Sequence, residues 1–241
     1  MSKQAIVIGV GASNGLGGAL ARRFSKGGLD LIAAGRTPEK LKIVVDEIQA
    51  AGGTARAAIC DVTDQAAVDA LFENAATDGP IDAVLYNAGN NAIIPFADLD
   101  AKTFEAFWRV GCMGGFLTAK AAAPIMLEQG GGSIIFTGAS GSLRGKSNFA
   151  HFAAAKAGLR MLAQSLAREY GPKGIHVAHV VVDGVIDGDI VRSRFGEYLE
   201  KLGPGGSLNP DDMAEAFWNL HIQPRSTWTQ ELDLRPYVEN W

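Results

Sequence analysis

The stretch "VIGVGASNGLGGALARRF", Val7 to Phe24, decides how the rest of the chain is read. It opens as a short apolar run, breaks into glycines, and resumes with the periodicity of a helix. Gly11, Gly15 and Gly17 stand in the spacing G-x-x-x-G-x-G. Bare backbone there lets N–H groups and a helix N-terminus approach a pyrophosphate closely. Taken alone, the motif fits an ordinary tight turn as well as a nucleotide site.

Its surroundings favour the nucleotide site. Strand-length apolar runs recur at 5–10, 29–34, 55–59, 83–86, 133–137 and 176–182. Helical patterns fill 15–26, 38–51, 64–77, 99–128 and 148–170. Near-continuous apolar strands alternating with helices imply a parallel sheet covered on both faces. Thr63 and Asp64 precede one helix, and Gly52-Gly53 closes another. Residues 186–212 mix charges with Gly and Pro and suggest a short helix in a mobile insert. A last helix near 210–222 and an edge strand in "TWTQELDLRP" follow. The expected fold is α/β: a Rossmann-like, doubly wound parallel sheet of about seven strands with helices on both faces. The chain reads as one domain, 1–241, with a flap insert at about 184–212.

Composition narrows the function. The chain has 241 residues, 47% hydrophobic and 20% charged, with 30 glycines, which suits many tight turns. A net charge of -4 offers no electrostatic footprint for nucleic acid. No apolar run reaches the length that spans a membrane, and the start enters a strand at once without room for a signal peptide. Cys60 and Cys112 lack metal or disulfide spacing. The expectation is a cytoplasmic protein with no metal, no nucleic-acid partner and no membrane.

Further loops follow strand ends, where open parallel sheets bind ligands. The second strand ends in "IAAGRTPEK", which offers Gly35-Arg36 and no acid. An acid there would hold adenosine ribose hydroxyls, whereas an arginine accommodates a 2′-phosphate. Arg36 is therefore either a solvated loop charge or a sign of preference for NADP(H) over NAD(H). Asp61 and Val62 follow the third strand, and Asn87-Ala88-Gly89 the fourth. Asp61 could equally cap a helix, and Asn87 could simply form a turn.

Together these features resemble the classical short-chain dehydrogenase/reductase family over essentially the whole chain. The resemblance matches the family's glycine turn to Gly11, Gly15 and Gly17, with Ser13, Asn14 and Leu16 between them as cofactor contacts. It matches the adenine-contacting Asp-Val to Asp61 and Val62, and the Asn-Ala-Gly to Asn87, Ala88 and Gly89. "SIIFTGASGSLRG" looks like the fifth strand and catalytic-serine loop, and "FAAAKAGLRMLAQSLAREYGPKGIHV" like the catalytic helix and sixth strand. The family's Tyr-x-x-x-Lys pairs a proton-exchanging tyrosine with a lysine that binds the nicotinamide ribose. Lys156 is kept, but Phe152 stands at the tyrosine position. The family's serine aligns with Ala139, near Ser140 and Ser142, and its helix asparagine with Gly111. Its Pro-Gly after the sixth strand is replaced by Asp183-Gly184, leaving Gly184 as a cofactor contact.

Hydride transfer to a carbonyl creates an alkoxide that needs a proton or strong stabilisation, and a phenyl ring supplies neither. Candidate substitutes are Ser140 and His151, the latter more readily a structural ring than a catalyst. Asn148, Arg144 and Asp183 also border the expected cleft. His176 and His179 point to opposite faces of a strand, which disfavours a shared metal. Trp228 and Trp241 read as core or subunit contacts, and Asp187, Asp189 and Arg192 as solvated charges on the flap.

The expectation is an NADP(H)-dependent oxidoreductase with a non-standard active site, with NAD(H) the less favoured cofactor. Its substrate would be a small organic carbonyl or alcohol, an imine or an activated alkene. The rival is a catalytically silent NADP(H)-binding or regulatory protein; a structural subunit pairing with an active paralogue is a third reading. Resemblance also implies a homotetramer or homodimer packed through 99–128 and 148–170.

Overall fold

The computed structural model describes residues 2–89 and 91–239. Seven strands form one parallel sheet: β1 (Gln4–Ile8), β2 (Asp30–Gly35), β3 (Ala55–Ile59), β4 (Ile81–Tyr86), β5 (Gly132–Thr137), β6 (Ile175–Val182) and β7 (Glu231–Leu234). Their order is β3-β2-β1-β4-β5-β6-β7, so the winding reverses between β1 and β4. That reversal opens a crevice at the carboxyl ends of the strands, where all the singled-out loops lie.

The helices are α1 (Leu16–Lys26), α2 (Pro38–Ala50), α3 (Gln65–Asp78), α4 (Ala101–Trp108), α5 (Gly114–Glu128), α6 (Ala150–Tyr170), α7 (Asp189–Leu202) and α8 (Pro210–His221). Leu20 and Phe24 of α1, Leu41 and Val44 of α2, and Phe217 of α8 cover one face of the sheet. Phe72 of α3, Met126 of α5 and Leu159 of α6 cover the other. Each such side chain, fully withdrawn from water, contributes about 1.5–3 kcal/mol. Asp64 caps α3 by accepting the Ala66 N–H at 3.0 Å.

The single long helix expected over 99–128 is interrupted. Arg109–Met113 forms a turn of π-helix, in which Gly114 N–H reaches Arg109 O and frees the Val110 carbonyl. The buried Tyr86 hydroxyl donates to that carbonyl at 2.5 Å, so the irregular turn keeps its polar groups paired. Counted through this turn, Ala101–Glu128 is long and apolar enough to cross a membrane, which corrects the sequence expectation. Its apolarity has another use here: 56% of its most apolar 18-residue window is buried within the protein. The insert carries a 14-residue helix, α7, longer than expected. Its Asp187 and Asp189 are not merely solvated: Asp187 pairs with Arg192 at 2.7 and 2.9 Å, and Asp189 accepts from Asn14 at 2.9 Å. Trp228 stacks on His176 with ring centroids 4.8 Å apart, and Trp241 lies outside the described residues.

Candidate active site

At the β1–α1 turn the glycines divide their work. A Cβ on Gly11 would meet nothing within 4 Å, so this position faces open space. A Cβ on Gly17 would lie 2.8 Å from Gly9 O, so Gly17 lets α1 pack on the strand end. Two glycines that the motif spacing did not single out are as constrained. Gly9 adopts φ +90, and a Cβ on Gly18 would lie 2.1 Å from Ser13 O. The N-cap of α1 is Gly15, which brings no capping side chain, and no acid stands in the first turn. N–H groups left unpaired at a helix start are the kind of donors that favour an anion. The Ser13 hydroxyl is turned to Glu47, donating at 2.6–2.7 Å and accepting from Arg22. Ser13 can therefore offer a ligand only its backbone.

On the adenine side, Asp61 accepts both the N–H and the hydroxyl of Thr63, at 2.9 and 2.8 Å. Those bonds hold its pKa below the ordinary carboxylate range, with Arg36 adding attraction. Arg36 is exposed, with the Asp61 carboxylate within electrostatic reach. Val62 is buried against the Gly114 position. Asn87 donates from Nδ2 to Gly9 O at 3.3 Å, tying the β4 end to the β1 turn.

On the reacting side, Lys156 is 5% exposed and donates to Thr137 O at 2.7 Å. Among the described residues no carboxylate offsets its charge, and burial pushes its pKa down to about 8. Its Nζ would stand 3.4 Å from a Cβ on Gly89, so the Asn87–Gly89 loop passes directly over the ammonium. The Phe152 ring lies against Gly141, where a Cβ would come within 3.0 Å. Ser140 opens a short 3₁₀ turn, partly exposed, whereas Ser142 is buried and points inward. His151 is fully buried edge-on to Phe107, with centroids 4.2 Å apart, and burial lowers its pKa. Neither ring nitrogen makes a well-formed hydrogen bond.

Gly184 is packed rather than open: a Cβ there would meet Pro236 at 2.6 Å. Buried Asp183 accepts two hydrogen bonds from Arg144, both at 2.9 Å, and lies 3.4 Å from Arg235. At Gly111, a Cβ would lie 2.7 Å from the Ala155 Cβ. The insert reaches back to the glycine turn, where Gly188 sits close to Asn14 O and Gly15.

The short chain dehydrogenase family model matches residues 4–198. The chain belongs to the short-chain dehydrogenase family. A short-chain dehydrogenase from Rhodopseudomonas palustris has the same fold with TM-score 0.84 and 37% identity, over 98% of this chain and 99% of that one. A metagenomic short-chain oxidoreductase solved in complex with NADP has TM-score 0.81 and 26% identity, over 98% of each chain. Among curated relatives, 3beta-hydroxysteroid dehydrogenase 1 of Eggerthella lenta is 34% identical over 222 residues, 87% of this chain and 84% of that protein.

For a member of the short-chain dehydrogenase family, the site fits a dinucleotide by its own geometry. Gly11 faces open space with no side chain in the way, and the α1 N-terminus, with no capping side chain and no acid in its first turn, would favour a phosphate. Lys156 uses one carbonyl acceptor for an ammonium with three donors, which suits further hydroxyl partners.

Proposed function

We propose that this member of the family is an NADP(H)-dependent oxidoreductase with a non-standard active site. The observation that carries the reading is Lys156: a buried ammonium held by Thr137 O, under the Asn87–Gly89 loop, with Phe152 one turn away. When bound, the nicotinamide supplies or accepts a hydride at its C4. Gly11, Gly15 and Gly17, with backbone from Ser13, Asn14 and Leu16, would hold the pyrophosphate. Asp61 and Val62 border the adenine, and Arg36 would pair with a 2′-phosphate. Asn87, Ala88, Gly89 and Lys156 would hold the nicotinamide ribose, with Gly184 supporting the cleft through its contact with Pro236. The NADP complex of the metagenomic oxidoreductase supports this choice of cofactor.

Lys156 also favours an oxyanion developing nearby, because its charge acts in a dry setting. Phe152 donates no proton, so substrates that need no tyrosine-like acid suit the site best. An imine protonated in water arrives as an iminium ion, and an activated alkene can take its proton from solvent. A simple carbonyl or alcohol remains within the reaction class, with Ser140 binding its oxygen. His151 is assigned no step, since its ring is sealed against Phe107. Screening ketones, imines and enones for consumption of NADPH tests the reading; turnover of any class supports it.

A second reading is a catalytically silent NADP(H)-binding or regulatory protein. Phe152, Ala139 and Gly111 favour it, because together they remove every proton-handling side chain of the family pattern. Tight NADPH binding with no turnover of any class selects it. Exposed Phe104, Phe116 and Met161 on α4, α5 and α6 suit a homodimer or homotetramer packed through these helices, in a cytoplasmic setting.

A further inference from the structure

Four side chains outside the glycine turn join into one chain across the sheet. Arg160 of α6 donates twice to Glu231 of β7, at 2.6 and 2.7 Å. Glu231 Oε2 lies 3.2 Å from Nδ1 of His179 on β6, close enough for attraction though not aligned as a linear hydrogen bond. His179 Nε2 is 3.2 Å from Ser142 Oγ, and Ser142 Oγ accepts the Ala139 N–H at 3.1 Å.

Serine, histidine and carboxylate in that order also make up the triad of acyl-transfer enzymes. Burial argues against that use. Ser142 is 5% exposed and His179 0%, and the hydroxyl is already engaged by an amide and an imidazole. A carboxylate beside Nδ1 favours the tautomer with its proton there, which leaves Nε2 to accept from Ser142. Burial pushes the His179 pKa down to about 4, against the pull of Glu231, so the ring is neutral at neutral pH.

Gly138 makes the connection possible. A Cβ there would lie 2.2 Å from His179 Nε2 and 3.0 Å from Ser142 Oγ. The missing side chain is the gap through which the ring reaches the hydroxyl. Ser140, two residues before Ser142, has no side-chain hydrogen bond among the described residues.

We propose that Ser142, His179 and Glu231 are positioning residues: their chain clamps the 139–143 turn to the sheet, with Ser142 inward and Ser140 free toward the substrate. Residue 139 carries only a methyl group, so the turn must present another hydroxyl if the site is to hold a substrate oxygen. That consequence rests on the oxidoreductase reading. The clamp itself does not, so its test reads the turn directly.

The test is residue-resolved amide exchange on the full chain. Ser142→Ala is expected to speed exchange at the Ala139 amide by about tenfold, the share of one net hydrogen bond. Amides of β1 and β2 should keep their protection. Gly138→Ala, whose Cβ would wedge between His179 and Ser142, should also speed exchange there. The double variant should exceed Ser142→Ala alone by little, because the serine oxygen that Gly138→Ala displaces is already gone. The ¹⁵N shifts of the His179 ring should show Nδ1–H and a bare Nε2 at neutral pH in the wild-type protein. Unchanged exchange at Ala139 in Ser142→Ala, full additivity of the two substitutions, or a charged ring at neutral pH overturns the clamp. Measuring NADPH affinity on the same samples separates the two ideas: no binding by the wild type would sink the oxidoreductase reading and leave the exchange result intact.

Discussion

Lys156 Nζ donates to the Thr137 carbonyl at 2.7 Å, while its other side looks toward Gly89, where even an added Cβ would stay 3.4 Å away. The ammonium is thus fixed on one side and left short of partners on the other. Desolvation without a compensating carboxylate is a cost to the protein alone. A cofactor's ribose hydroxyls would offset part of it.

Lys156→Met is therefore expected to stabilise the cofactor-free protein and to weaken NADPH binding by tenfold or more. The fall from 10.5 to about 8 corresponds to about 3 kcal/mol. The unfolded chain keeps this proton up to its ordinary pKa, whereas the folded protein releases it near 8. Native stability consequently rises with pH between those values, and the cost is complete below 8. Thermal unfolding should show the variant's gain as largest near pH 7 and smaller near pH 10. A variant less stable than wild type at pH 7 contradicts the picture of an uncompensated charge.

Arg36→Ala should abolish a preference for NADPH. Losing hydrogen bonds to a charged 2′-phosphate weakens NADPH by about 10- to 100-fold. NADH affinity should barely move. Equal losses for both cofactors would mean that Arg36 acts on something other than the 2′-phosphate.

Position 111 has no room for the asparagine that the resemblance would place there. Gly111→Asn brings side-chain atoms against the Ala155 Cβ, 2.7 Å from the new Cβ, and is expected to cost about 1–3 kcal/mol as overpacking. Ala155→Gly in the same chain should recover part of that loss. Denaturant unfolding checks both, and an additive double variant would show that the contact is not the cause.

Asp189 sits 2.9 Å from Asn14, inside the turn proposed to hold the pyrophosphate. Asp189→Asn keeps a polar partner for Asn14 and removes a charge that repels phosphates. NADPH binding should tighten by about threefold at low salt, and the gain should shrink as salt is raised. Weaker binding at low salt would instead make the carboxylate an asset to the closed insert.

Much of this fold is legible in the chain. Apolar runs marked every strand to within a few residues, because strands buried on both faces carry little else. Boundaries failed where backbone geometry took over. The run at 5–10 continues past the strand, which ends at Ile8 because Gly9 turns at φ +90. The helix expected from 148 begins at Ala150, since Asn148 holds φ 70 and its carbonyl ties down Ile94 N–H. The π turn was invisible because the Tyr86 hydroxyl that pairs with its Val110 carbonyl arrives from a strand 24 residues away. The glycine turn, Lys156 and Phe152 were readable as local motifs. The Ser142–His179–Glu231 chain was not, because its members come from the turn after β5, from β6 and from β7, and meet only in the folded sheet.

The central claim is that the site is built for NADP(H), with Arg36 and Lys156 at its two ends. Calorimetric titration of the wild-type protein with NADPH and with NADH, at one pH and salt concentration, tests it most directly. The account predicts NADPH binding at least about tenfold tighter than NADH, the share of one charged contact. Equal affinities, or tighter binding of NADH, would contradict it.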